Sequence, residues 1–180
     1  MRIISGRYKR RIISPPKNLP VRPTTDMAKE SLFNILGNHI DFSDKTALDL
    51  FAGTGNISYE FVSRGCGSVT SVDEDFGCIK FINKTAQKLE MKELQIVKQD
   101  VFRFLSNSKR KYDIIFADPP YKLDNIESIS KLVLDNNLLN PDGWLILEHS
   151  RDLDLSASKN FYEHRKYGKV NFSFFHIRSV

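Results

Sequence analysis

Short apolar runs and longer amphipathic stretches alternate along the chain from Lys45 onward. The apolar runs predict five β-strands, at residues 46–50, 68–73, 94–98, 112–117 and 144–148. Between them, apolar positions recur at the helical period and predict helices near residues 56–64, 76–89, 101–108 and 126–136. This alternation predicts an α/β fold, with a mostly parallel sheet covered by helices on both faces.

Both ends of the chain carry further β-rich runs. Arg2-Ile3-Ile4 and Arg11-Ile12-Ile13 predict an N-terminal β-hairpin, and the runs at 161–167 and 170–177, separated by Gly168-Lys169, predict a closing antiparallel hairpin. Four prolines between residues 15 and 23 predict a linker. Thr24 or Thr25 can then cap a helix at residues 26–36. We therefore divide the chain into an N-terminal arm, residues 1–25, and one α/β domain, residues 26–180.

Positive charge is concentrated in the arm. It contains no acid and seven cations: Arg2, Arg7, Lys9, Arg10, Arg11, Lys17 and Arg22. The rest of the chain holds 20 basic and 22 acidic residues and is close to neutral. A basic arm on a neutral body is typical of nucleic-acid binding, because contact with phosphates releases counterions. A solvated tail without a partner is the alternative.

Composition argues against several other classes of protein. No apolar run approaches the roughly 20 residues of a membrane span, and the N-terminus lacks the apolar region of an export signal. Cys66 and Cys78 are too few for a disulfide framework, and neither they nor the four histidines show metal-ligand spacing. We expect a soluble, cytoplasmic and monomeric protein, with no metal and with buried free thiols.

A glycine loop follows the first predicted strand, with the sequence Asp49-Leu50-Phe51-Ala52-Gly53-Thr54-Gly55. In a doubly wound sheet, ligands bind beyond the carboxyl ends of the strands, where glycines allow close approach and a helix N-terminus favours an anionic group. Ser58 stands where the third glycine of the dinucleotide fingerprint would fall. The loop by itself fits a nicotinamide cofactor or S-adenosylmethionine.

Acidic residues end the next two strands. Asp73 lies 18 residues after Gly55, where an acid can accept hydrogen bonds from both hydroxyls of a cofactor ribose. Of the acids that follow it, Asp75 fits a helix N-cap. Asp100 is placed to accept from an adenine amino group, to cap the helix that begins at Val101, or to do both.

The most discriminating motif is Asp118-Pro119-Pro120-Tyr121, directly after the fourth predicted strand. The prolines lack N–H groups and stiffen the loop, which predicts carbonyls free to accept hydrogen bonds. Asp118 and the Pro119 carbonyl can accept both hydrogens of an exocyclic amine, and Tyr121 offers a face on which a base can stack. This chemistry predicts methyl transfer to a base amine held in line with a sulfonium. Neither cysteine follows a strand as a covalent thiol would.

Taken together, these segments resemble the RsmD family of bacterial 16S ribosomal RNA guanine-N2 methyltransferases over nearly the whole chain. The resemblance also rests on Arg2-Ile3-Ile4-Ser5-Gly6, Arg22-Pro23-Thr24-Thr25-Asp26, Glu30-Ser31-Leu32-Phe33-Asn34-Ile35-Leu36, Glu148-His149-Ser150 and Tyr167-Gly168. The chain departs from the family pattern at Asn56-Ile57, where a small or Ser-Leu pair is commoner, at Asp73 in place of Glu, and at Lys169 in place of an acid.

The resemblance implies a Rossmann-like class I S-adenosylmethionine-dependent fold with a seven-stranded sheet, preceded by a hairpin that helps grip RNA. The expected cofactor-binding residues are Asp49, Phe51, Ala52, Gly53, Thr54, Gly55, Asp73, Glu74, Asp100 and Val101. The expected catalytic residues are Asp118, Pro119, Pro120 and Tyr121. The expected contacts with 16S ribosomal RNA, or with a small-subunit assembly intermediate, are Arg2, Arg7, Lys9, Arg10, Arg11, Arg22, Thr24 and Thr25.

The motifs alone are compatible with other functions. The Asp-Pro-Pro-Tyr loop serves the N6 amine of adenine in DNA or RNA as well as the N2 amine of guanine, and only the resemblance separates them. A non-catalytic RNA-binding assembly factor would explain the charge of the arm and would not bind S-adenosylmethionine. A nicotinamide dehydrogenase would leave the segment from Asp118 to Tyr121 without a role.

Overall fold

A computed structural model of the protein describes residues 1–17, 19, 25–120, 122–168 and 170–178. Of the residues named above, Arg22, Pro23, Thr24, Tyr121 and Lys169 lie outside the described residues. The helices are α1 (Asp26–Gly37), α2 (Asn56–Ser63), α3 (Phe76–Lys88), α4 (Val101–Asn107) and α5 (Glu127–Asp135). The strands are β1 (Thr46–Leu50), β2 (Ser68–Asp73), β3 (Leu94–Lys98), β4 (Tyr112–Ala117), β5 (Leu139–His149), β6 (Phe161–Tyr167) and β7 (Val170–His176).

The seven strands form one sheet in the order β3-β2-β1-β4-β5-β7-β6. Strands β1 to β5 pair in parallel, whereas β7 runs antiparallel to β5 and β6 antiparallel to β7. The predicted parallel core and closing hairpin are thereby confirmed. The strand order reverses between β1 and β4, and such a switch point opens a crevice beyond the carboxyl ends of the strands.

Two hydrophobic clusters cover the two faces of the sheet. The first joins α1, α2 and α3 to residues such as Ala47, Phe116 and Ile146. The second joins α4 and α5 to the alternate residues of the same strands, such as Ile115 and Leu145. Because side chains alternate across a strand, membership of a cluster tells which face of the sheet a residue occupies.

Strand β5 begins earlier than the periodicity predicts. It starts at Leu139 and not at Trp144, because Leu139 pairs with Tyr112 before a shift in register. The intervening residues include Pro141 and Gly143, and Asp142 has a φ of 58°. Because of these residues, the alternation of apolar positions does not predict the first part of β5.

The arm is less regular than the predicted hairpin. Its two halves do pair antiparallel, with the Ile3 amide donating to Arg11 at 3.0 Å, but among the described residues of the arm this pairing amounts to one isolated bridge, between Arg2 and Ile12. The amides of Ile4 and Ser5 donate instead to the carboxylate of Glu60 in α2. The antiparallel pairing of the arm therefore ends early, because the next two amides donate to Glu60 of the α/β domain.

The arm also contributes to the core. Ile3 and Ile13 are buried in the same cluster as α1 and α2. Within the described residues, no helix combines the length and apolar character required to span a membrane.

Candidate active site

A cleft of about 990 Å³ opens at the carboxyl ends of β1, β2, β4 and β5. Nearly all of the predicted cofactor and catalytic residues that the structure describes line this cleft: Asp49, Phe51, Ala52, Gly53, Thr54, Asp73, Glu74, Asp100, Val101, Asp118, Pro119 and Pro120. Residues from four separate segments thus meet at one place, because parallel strands present their carboxyl ends at the same edge of a sheet.

The glycine loop is held by its own backbone and by β2. The amide of Ala52 donates to the Val72 carbonyl at 3.0 Å, and the amide of Gly53 donates to the Asp73 carboxylate at 2.7 Å. Phe51 and Gly53 have φ values of 58° and 53°, so that the chain turns sharply from β1 into α2. The loop is therefore fixed in shape, with its surface toward the cleft.

Gly55 is not among the residues that line the cleft, and its predicted role in cofactor binding stays a prediction. It is the N-cap of α2 with a φ of 79°, and a Cβ placed on it would lie 2.7 Å from Cζ of Tyr59. Tyr59 is fully buried. Gly55 thus allows the loop to pack closely on the helix beneath it.

We expect Gly55→Ala to destabilise the fold by about 1–3 kcal/mol, because a side chain is strained at this φ and would press on the buried Tyr59 ring. Urea unfolding measures the loss, and calorimetric titration with S-adenosylmethionine measures the accompanying loss of affinity. Gly37→Ala is the matched control, since an added Cβ there meets nothing within 4 Å. Equal unfolding free energies for the two variants would contradict the assignment.

The acids at the ends of β2 and β3 make local hydrogen bonds. Asp73 accepts from the Gly53 amide at 2.7 Å and from the Asp75 amide at 2.9 Å, while remaining partly exposed in the cleft. Asp75 caps α3 by accepting from the Cys78 amide, as predicted, and Asp100 caps α4 by accepting from Arg103. The capping roles are confirmed. The ribose role of Asp73 and the adenine role of Asp100 stay predictions.

The Asp-Pro-Pro segment continues directly from β4. The amide of Asp118 donates to the Leu50 carbonyl at 3.4 Å, which places Asp118 beside the end of β1. Pro119 is buried and Pro120 is exposed. The expectation that the carbonyls of the loop are free was wrong for Pro120, whose carbonyl accepts from the Leu123 amide at 2.8 Å in a turn.

Two carboxyl groups in the cleft have raised pKa values. Burial raises the pKa of Asp118 to about 7. The pKa of Asp49 is also raised to about 7: burial is the largest cause and the neighbouring Asp118 carboxylate adds to it, while a hydrogen bond from Ser58 favours the charged form. Two carboxyls that interact in this way resist ionising together.

We expect the rate of methyl transfer at saturating cofactor to rise with pH through about 7, because a protonated Asp118 carboxyl cannot take up the proton that leaves the amine. Single-turnover rates across about pH 5.5 to 8.5 measure the profile. Asp49→Asn removes the neighbouring charge and should move the midpoint to lower pH. A flat profile would show that no cleft carboxylate limits the reaction.

Comparisons with known proteins agree over nearly the whole chain. The family model described as Conserved hypothetical protein 95 matches residues 1–176. YlbH of Bacillus subtilis (strain 168) is 36% identical over 159 residues, which cover 86% of this chain and 85% of that protein. Ribosomal RNA small subunit methyltransferase D of Haemophilus influenzae is 30% identical over 165 residues, which cover 89% and 84%. The chain belongs to the RsmD family.

Solved structures share the fold of this RsmD-family protein. The Escherichia coli protein yhhF superposes with a TM-score of 0.87 at 26% identity, covering 99% of this chain and 98% of that chain. The T. thermophilus 16S rRNA N2 G1207 methyltransferase, solved with AdoMet and guanosine, gives a TM-score of 0.71 at 20% identity, covering 89% and 45%. The fold is that of Rossmann-like class I S-adenosylmethionine-dependent methyltransferases.

Of the predicted RNA contacts that the structure describes, Thr25 lines the cleft of this RsmD-family protein, whereas Arg2, Arg7, Lys9, Arg10 and Arg11 are not among the residues that line it. Arg2, Lys9 and Arg10 line a separate groove of about 350 Å³ between the arm and α1. Two cations of the arm form ion pairs within the protein: Arg7 pairs with Glu93 at 2.6 Å, and Arg2 pairs with Asp26 at 3.8 Å. Lys9, Arg10 and Arg11 are exposed.

Sequence reasoning missed a buried ionic network that fastens the arm of this RsmD-family protein. Lys29 of α1 is fully buried, and its Nζ donates to the Arg2 carbonyl at 2.7 Å and to Oδ1 of Asn56 at 2.8 Å. Glu60 lies 3.5 Å from Nζ of Lys29 and also pairs with Arg64 at 2.9 Å. Burial lowers the pKa of Lys29, and the Glu60 carboxylate partly offsets this. The network links the arm to the first residue after the glycine loop.

Glu148 is a second residue that the motifs did not single out as part of the site, although it lines the cleft. The ring of the neighbouring His149 is buried and contacts the Ser150 carbonyl at 2.7 Å and the Ser173 hydroxyl at 2.8 Å. Burial lowers the pKa of His149. The position of Glu148 at a strand end was the signal that could have identified it.

The two cysteines of this RsmD-family protein are not among the residues that line the cleft. Cys66 and Cys78 are buried free thiols, as expected, and burial raises the pKa of each to about 12. Over the residues that the structure describes, no three His, Cys, Asp or Glu side chains are grouped so as to hold a metal ion.

Proposed function

We propose that this protein uses S-adenosylmethionine to methylate the exocyclic N2 amine of a guanine in small-subunit ribosomal RNA. The observation that carries the proposal is the position of Asp118 and Pro119, which line the same cleft as the glycine loop. An acceptor pair for an amine therefore lies beside a loop suited to an activated cofactor. The names of relatives such as ribosomal RNA small subunit methyltransferase D support ribosomal RNA as the substrate.

The residues of the cleft fit S-adenosylmethionine. Asp73 and Asp100 stand at the ends of β2 and β3, where carboxylates can accept from ribose hydroxyls and from an adenine amine. The cleft volume of about 990 Å³ matches the size of cofactor pockets. When bound, S-adenosylmethionine supplies an electrophilic methyl group on a positively charged sulfonium. The buried carboxyl groups of Asp49 and Asp118 favour positive charge nearby.

The protein contributes orientation more than base strength. The amine of guanine is conjugated with the ring, so its lone pair must be turned toward the methyl carbon. Asp118 and the Pro119 carbonyl accept its two hydrogens and hold that orientation. As the nitrogen forms its bond to carbon, positive charge develops on it, and the Asp118 carboxylate can take the proton that leaves. S-adenosylhomocysteine is then the second product.

The exposed cations of the arm provide affinity for the RNA backbone. Lys9, Arg10 and Arg11 are exposed on the arm, and cations in this arrangement bind phosphates without reading sequence. The target base would leave its stack to reach the cleft. The proposed substrate is 16S ribosomal RNA or a small-subunit assembly intermediate.

Tritiated methyl transfer to small-subunit particles from a strain that lacks this protein tests the proposal. Nucleoside analysis of the labelled RNA should show N2-methylguanosine, and mapping should place it at a single site. N6-methyladenosine would assign the adenine reaction instead. Absence of label together with absence of S-adenosylmethionine binding by calorimetry would leave only a non-catalytic RNA-binding role.

A further inference from the structure

Glu148 and Asp118 lie side by side at the carboxyl ends of neighbouring strands. Ala117, the last residue of β4, is the register partner of Leu147 of β5, and the two acids directly follow these residues in the chain. Adjacent strands are about 4.8 Å apart. The two side chains are therefore close enough to contact the same small ring.

The two acids also project from the same face of the sheet. Phe116 and Ile146, two residues earlier on each strand, belong to one hydrophobic cluster, whereas Ala117 and Leu147 belong to the cluster on the opposite face. Because side chains alternate, Asp118 and Glu148 share the face of Phe116 and Ile146. Both acids line the cleft, and Glu148 is 5% exposed.

A third acid on this face, Asp49, lies on the other side of Asp118. Asp49 follows Ala47 of the same cluster by two residues and accepts from the Ser58 hydroxyl at 2.5 Å. It lies on β1, whereas β4 stands between β1 and β5 in the sheet. Of the two acids that flank Asp118, Glu148 is thus the one on the side away from the glycine loop, where a substrate base would lie.

The edges of guanine and adenine differ next to the amine that Asp118 would hold. In guanine, the N2 amine is adjacent to N1–H, which is a donor. In adenine, the N6 amine is adjacent to an unprotonated N1, which is an acceptor. A carboxylate accepts hydrogen bonds and donates none, so it attracts the first arrangement and repels the second.

We infer that Glu148 accepts the N1–H of the target guanine beside the amine held by Asp118, and that it thereby selects guanine over adenine. This inference rests on the proposed function and deepens it, because the Asp-Pro-Pro-Tyr loop alone serves both amines. Glu148 is a specificity-determining residue that contacts the base. A site built around such a hydrogen bond discriminates strongly, since a mismatched base leaves buried polar groups without partners.

Glu148→Gln tests the inference, because the amide keeps the size of the side chain and adds a donor. Small-subunit RNA is prepared by ligation with either guanine or 2-aminopurine at the mapped site. 2-Aminopurine keeps the 2-amino group but presents an acceptor at N1. Single-turnover methyl transfer is measured for both RNAs, and S-adenosylmethionine affinity is measured by calorimetry. Glu127→Gln, at an exposed position, is the matched control.

We expect wild-type protein to methylate the 2-aminopurine RNA about 10- to 100-fold more slowly than the guanine RNA, and Glu148→Gln to lose a similar factor on guanine. The variant should then distinguish the two bases by less than about threefold, with cofactor affinity and control rates unchanged. If Glu148→Gln methylates guanine at the wild-type rate, or if the two losses multiply, the inference is overturned. If wild-type protein makes no N2-methylguanosine, the proposed function itself fails.

Discussion

Replacing Asp118 with asparagine should lower the single-turnover rate of methyl transfer by about 100- to 1,000-fold, the usual effect of removing one preorganised polar group from a transition state. The amide of asparagine would direct a donor toward the amine in one of its orientations, and it cannot take up the proton that leaves. Affinity for S-adenosylmethionine should stay within about threefold, because the glycine loop and Asp73 are unchanged. Rapid-quench assays with labelled cofactor measure the rate, and calorimetry measures the affinity.

Asp124→Asn is the matched control for this experiment. Asp124 is exposed and lies only a few residues further along the same segment, so the change removes one charge without altering the cleft. Its rate should equal that of the wild type. Full activity of Asp118→Asn would remove Asp118 from the catalytic residues, while equal losses in both variants would show that charge near the cleft matters more than contact with the amine.

Breaking the ionic network beneath the arm should have the largest effect on stability. Glu60→Gln removes the charge that pairs with Lys29 and Arg64 and weakens the acceptor of the Ile4 and Ser5 amides. A buried cation left without its partner costs about 3–5 kcal/mol. Urea unfolding measures the loss, and hydrogen exchange should become faster at the amides of Ile4 and Ser5.

Glu30→Gln is the control for the network, since Glu30 is an exposed residue of α1 one position after Lys29. Surface charges contribute about 0–1 kcal/mol, so its unfolding free energy should be close to that of the wild type. A Glu60→Gln variant as stable as Glu30→Gln would show that the network fixes the position of the arm on α1 and α2 and contributes little to the free energy of unfolding.

The network also has a functional consequence for the arm. Lys29 contacts the Arg2 carbonyl on one side and Asn56, the first residue of α2, on the other. The arm that carries the exposed cations is therefore bonded to α1, and the same lysine also bonds the residue that follows the glycine loop. A flexible tail would have to lose conformational entropy on binding RNA, and a docked arm has already lost it in folding.

The alternation of apolar runs was enough to predict the order of strands and helices from β1 to β7. Periodicity reports which residues of a segment face the core, and that is a local property. It also placed the site, because Gly53, Asp73 and Asp118 each follow a predicted strand and parallel strands end at a common edge. The caps of α3 and α4 at Asp75 and Asp100 were predictable for the same reason, since each bonds an amide three residues away.

The sequence by itself determined the fold class, the location of the cleft and the residues of its loops, because each depends on patterns within one segment and on the shared polarity of parallel strands. Only the tertiary structure decided the pairing of Lys29 with Glu60 and of Arg7 with Glu93, and the position of Glu148 beside Asp118. These contacts join residues far apart in the chain, and electrostatic attraction between them depends on distance in space, which no local pattern of polarity encodes.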